Sequence, residues 1–178
     1  MGYLHQLLSA APASSAAGHT AEHGPAVVGL LYLPVVLMAL LVGAQAVAQR
    51  GVPAARRFLE GLDALQPALR LVLLLLLVSA TVHLSLAPVH AEEPVTAALF
   101  VADAVVEVAI CAAACLLSLP WRPLAAAILA ANLLAYALYV VAGLESVEAV
   151  GLATKLVEGM ALALVMSVGE VSYRGARR

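Results

Sequence analysis

The chain has 178 residues, 64% of them hydrophobic and 11% charged, with a mean hydropathy of +1.03. A soluble domain is about 45–50% apolar and about 25% charged, so a water-soluble fold is excluded. The formal net charge of −2 offers no basic field for nucleic acid, and Cys111 and Cys115, both inside an apolar run, form no disulfide framework.

Taken in chain order, residues 1–24 read as an extracytoplasmic polar tail. That stretch has no basic n-region and too short an apolar run for a signal peptide. Gln6 also breaks the myristoylation pattern. Apolar runs then predict five spans, over residues 25–49, 71–87, 95–119, 124–141 and 147–168. Each is near the length of about 20 residues that crosses the hydrocarbon layer. Lipid offers no partner to a free backbone N–H or C=O, so the spans must be helices. The expected fold class is all-α: a polytopic transmembrane helical bundle over residues 25–173, followed by a basic tail, 174–178. Pro25, Pro94 and Pro123 stand at span entrances, where a missing N–H costs nothing. Pro34 lies inside span 1, where a kink is expected.

Residues 53–67 predict a short helix between spans 1 and 2. Phe58, Leu59, Leu62 and Leu65 share one face, with Arg57, Glu60 and Asp63 away from it. Such a helix either lies on the inner leaflet or packs beneath the bundle. Arg50, Arg56, Arg57, Arg70, Arg122, Arg174, Arg177 and Arg178 all fall on one side of a five-span protein. The positive-inside bias puts that side in the cytoplasm and the N-terminus outside, with the plasma membrane as the expected location.

The opposite side collects His5, His19, His23 and His90 with Glu22, Glu92, Glu93, Glu145 and Glu148, and His83 lies just inside span 2. Imidazoles and carboxylates without a competing cation suit Zn²⁺, Cu²⁺ or protons, although loop acids are as often simply solvated. His83, His90, Glu92 and Glu93 read as a metal-ligand set at an outer entrance.

Inside the spans stand Asp103, Glu107, Lys155 and Glu158, where an ionised group costs about 2.5–3.5 kcal/mol even on the lenient insertion scale. Asp103 and Glu107 are i,i+4 neighbours and Lys155 and Glu158 are i,i+3, so each pair shares a helix face. At 1.5 Å per residue, Asp103 and Lys155 lie roughly 12 Å below their outer helix starts, and Glu107 and Glu158 a turn deeper. Matched depths predict an interhelical cluster, with Lys155 reaching Asp103 or Glu107 and His83 capping it from above. Three acids against one lysine leave two carboxylates uncompensated, and protons or a cation must supply the balance. The competing reading is a static polar clamp. Cys111 and Cys115 continue the row Asp103, Glu107 at intervals of four. They read as soft-ligand candidates or as small packing residues.

No Gly-rich phosphate loop, nucleophile elbow or HExxH motif occurs. Only His83 lies clearly within a span, so neither haem nor nucleotide is expected; catalytic residues are likewise not assigned. The leading expectation is a membrane protein that binds or translocates a cation, a transition metal such as Zn or Cu or a proton. The alternative is an accessory or assembly subunit of a larger membrane complex. Expected partners are the bilayer and a second copy or a partner membrane subunit, with no nucleic acid.

Overall fold

The computed structural model describes residues 24–117, 120–143 and 147–168. They form six helices and no strand: α1 (Gly24–Gln49), α2 (Pro53–Ala64), α3 (Pro67–Leu86), α4 (Pro94–Leu116), α5 (Trp121–Val141) and α6 (Ala149–Ser167). All except α2 are long and apolar enough to cross a membrane. The chain is a multi-pass helical membrane protein. The tail with His5, His19, His23 and Glu22, the loop residue Glu145 and the basic tail 174–178 lie outside the described residues.

Prolines set the helix starts: Pro53, Pro67 and Pro94 occupy the first turns of α2, α3 and α4, where their fixed φ suits a helix and no N–H is missed. Pro67 also ends α2. The residue before a proline is driven out of the α region, and Gln66 adopts φ −61°, ψ 149°. The helix expected over 53–67 therefore stops at Ala64. Its last carbonyls are not left bare. Arg70 Nε donates to Leu65 O at 3.0 Å and its Nη2 to Asp63 O at 2.7 Å, the favourable place for a cation at a helix C-terminus.

Helix α2 packs beneath the bundle, against α1 and α4. Phe58 and Leu62 lie against the apolar core and Leu65 is buried in it. Gly61 meets the backbone of Cys115 so closely that a Cβ there would overlap the Cys115 carbonyl. The packed form of this helix is the one realised.

Helices α3, α4, α5 and α6 close a four-membered ring in which each touches the next, and α1 lies outside it against α3. The ring's apolar core runs from Leu65, Leu69, Val72, Leu73 and Leu76 to Ile110, Leu129 and Val165. Ala125 and Ala161 are fully buried, small side chains of the kind that let helices approach closely in lipid. Gly29 serves the same purpose where α1 crosses α3: a Cβ there would lie 2.8 Å from Ser85 Oγ. At the arginine-bearing end, Arg122 donates to Val165 O at 2.7 Å and to Val168 O, tying α5 to the end of α6.

Candidate intramembrane cation site

The ring of four helices encloses polar side chains from every member. Helix α3 supplies Ser79 and His83, one turn apart on its inner face. Helix α4 supplies Asp103 and Glu107 at the same spacing, α5 supplies Asn132 and Tyr136, and α6 supplies Lys155 and Glu158. In each pair the spacing of three or four residues stacks both side chains on one face, and the ring turns all four faces inward.

His83 is buried and stands among carboxylates. Its Nδ1 lies 2.6 Å from Asp103 Oδ2 and 3.8 Å from Glu107 Oε2, and its Nε2 lies 3.5 Å from Glu158 Oε1. Asn132 Nδ2 donates to both oxygens of Asp103, at 3.0 and 2.9 Å. Lys155 Nζ donates to both oxygens of Glu158 at 2.8 Å, and Ser79 Oγ donates to Glu158 Oε1 at 3.1 Å. Glu107 and Glu158 are completely buried. Glu158 is saturated with donors. Glu107 is not: neither of its oxygens has a hydrogen-bond partner among the described residues.

His83, Glu107 and Glu158 each bring one ligand atom within 4.8 Å of the other two, and among the described residues they are the one such group of three. One imidazole nitrogen with two carboxylates is a mixed N/O donor set of the kind that takes borderline divalent ions. The group can therefore hold a cation.

The geometry corrects several expectations. Lys155 pairs with Glu158 of its own helix, not with Asp103 or Glu107, because the i,i+3 partner is the nearer carboxylate; the amide of Asn132 takes Asp103 instead. His83 joins the cluster from α3 as expected, in contact with Asp103, Glu107 and Glu158. It does not share a ligand set with His90, Glu92 and Glu93. Both imidazoles rest on the Phe100 ring, at centroid distances of 5.7 and 5.2 Å. The polar edge of His83 faces inward, while His90 stays in the loop, 3.9 Å from the exposed Glu93. Glu92 is exposed. Cys111 and Cys115 are free thiols buried in the apolar core, with Cys111 Sγ 3.6 Å from Leu73 O, and among the described residues they join no group of ligands.

Three members were not singled out from sequence. Asn132 and Tyr136 stand in the middle of a helix whose other polar side chains are Arg122 at its start and Tyr139 near its end, and their i,i+4 spacing is the available signal. Ser79 shares α3 with Thr81 and Ser85, and hydroxyls inside such helices commonly bond back to their own backbone. Thr81 and Ser85 do so, to Leu77 O and Thr81 O at 2.7 Å, whereas Ser79 reaches across to α6. Comparison with protein families, curated proteins and solved structures gives no match.

Proposed function

We propose that this chain is a plasma-membrane protein that binds a cation, a transition metal or a proton, at His83, Glu107 and Glu158, with the arginine-bearing end in the cytoplasm. The observation that carries the reading is Glu107. Burying a carboxylate without a hydrogen bond is among the costliest arrangements a protein can hold, and here Glu107 has none among the described residues while its Oε2 lies 3.8 Å from His83 Nδ1, with Glu158 completing the group of three. A cation between the three supplies what the side chain lacks. The competing reading, an accessory subunit whose cluster only fixes helix packing, accounts for the Asn132–Asp103 and Lys155–Glu158 pairs. It requires Glu107 to be protonated and hydrogen-bonded as part of the packing, and among the described residues Glu107 has no such bond. Five spans are few for a complete alternating-access transporter, so a second copy or a partner subunit belongs to the proposal where translocation is concerned.

The test is metal content. The full chain is purified in mild detergent from the plasma-membrane fraction without a polyhistidine tag, exposed to Zn²⁺, dialysed and analysed by elemental mass spectrometry. The wild type is expected to retain about one ion per chain, and Glu107→Gln, which preserves shape and removes the charge, to retain none while accumulating normally. Equal metal in both proteins would refute the metal reading. Metal in neither would refute the metal reading and leave proton coupling or a purely structural subunit.

A further inference from the structure

Lys155 is out of place in a site meant for cations. Its ammonium sits 2.8 Å from both oxygens of Glu158, one of the three converging ligands, and its side chain is only 15% exposed. An entering ion must take those oxygens from it. We propose that the site's ligand is a divalent transition cation and that Lys155 selects for it, acting as a tethered ammonium that only a doubly charged ion displaces. This inference rests on the cation reading above.

Charge and donor chemistry lead to the same class of ion. Asp103, Glu107 and Glu158 against Lys155 leave two negative charges, with His83 neutral as a ligand. One divalent ion closes that balance. A monovalent ion would leave one negative charge open and would replace at Glu158 no more charge than the ammonium already supplies. Oxygen-seeking ions fit poorly: Ca²⁺ takes about 6–8 oxygen ligands and Mg²⁺ keeps several waters in a strict octahedron. Three side chains, one of them an imidazole, match Zn²⁺ or Co²⁺.

The displaced ammonium also has a place to go. Lys155 Nζ already lies 5.8 Å from the centre of the Tyr136 ring, within the range of about 6 Å over which a cation is held by an aromatic face. Gly151, one turn from Lys155, gives that ring its space, since a Cβ there would lie 3.3 Å from Tyr136 Cε2 and Oη. Glu158 can thus release the ammonium without stranding it in lipid. The other charged or titratable groups facing this position are His83 on α3 and Asp103 and Glu107 on α4, already counted above.

The experiment titrates the purified full chain in detergent with Co²⁺, read by its visible absorption, and compares wild type, Lys155→Met and Glu107→Gln. Wild type is expected to bind Co²⁺, with Zn²⁺ displacing it and a large excess of K⁺ or Mg²⁺ leaving it in place. Lys155→Met is expected to bind Co²⁺ about tenfold or more tightly, because a positive charge within a few ångströms is gone, and to become sensitive to K⁺, which then fills the vacant charge. Lys155→Gln provides the same comparison should Lys155→Met fail to fold. Co²⁺ bound by wild type and lost in Glu107→Gln, but held no more tightly and no less selectively without Lys155, would overturn this inference alone. Co²⁺ bound equally by wild type and Glu107→Gln, or by neither wild type nor the lysine variants, would overturn the metal site itself and this inference with it.

Discussion

Asn132 grips both oxygens of Asp103, and Asp103 in turn stands 2.6 Å from His83, so an amide on α5 governs where an imidazole on α3 sits. Carboxylate partners of this kind orient ligating histidines in metal sites generally. Replacing Asn132 with Leu leaves a largely buried carboxylate without its amide donors. The expected loss is about 1–3 kcal/mol of stability, seen as a lower unfolding temperature in detergent, together with a Zn²⁺ affinity roughly 10–100-fold weaker. Unchanged affinity would separate Asn132 from the site. Asp103, Glu107, Lys155 and Glu158 were legible in the sequence because ionisable groups inside apolar runs are costly and therefore conspicuous. Asn132 was not legible, because an uncharged amide raises no such signal and its partner lies on another helix.

At the scale of elements, apolar runs located all five spans to within a few residues, since hydropathy is a property of each segment by itself. What joins the segments was less visible. The fate of the 53–67 segment turned on Gly61, whose missing side chain lets α2 lie directly on the Cys115 backbone of α4. Nothing in the amphipathic pattern distinguishes a face meant for lipid from one meant for a neighbouring helix. Gly61→Ala inserts a Cβ where a carbonyl already stands, and backbone cannot swing aside as a flexible side chain can. The variant is expected to lose about 1–3 kcal/mol, measured by thermal unfolding in detergent, while keeping its Zn²⁺ stoichiometry because the ion site lies elsewhere in the bundle. A variant as stable as wild type would show that α2 does not pack as described. Cys111 and Cys115 make the same point from the other side. Their spacing places them on the inner face with Asp103 and Glu107, and only the ring's packing decides that this lower stretch is apolar.

For the whole molecule, a ring of four helices brings Asp103, Glu107, Lys155 and Glu158 together around His83, each ring helix supplying polar residues, while Arg70 and Arg122 bind carbonyls at helix ends and α1 lies outside the ring with large apolar side chains exposed. That division explains how so apolar a chain carries a histidine, three carboxylates and a lysine within its spans: much of the cost of each polar group is met by the others, and Glu107 is the carboxylate of the cluster without a hydrogen bond among the described residues. The most direct measurement is X-ray absorption at the zinc edge on the Zn²⁺-loaded wild-type protein. The expected first shell contains imidazole nitrogen and carboxylate oxygen at about 2.0–2.2 Å and no sulfur. A sulfur shell at about 2.3 Å would move the ion to Cys111 and Cys115, and a shell without imidazole would remove His83 from the site; either would contradict the assignment of His83, Glu107 and Glu158.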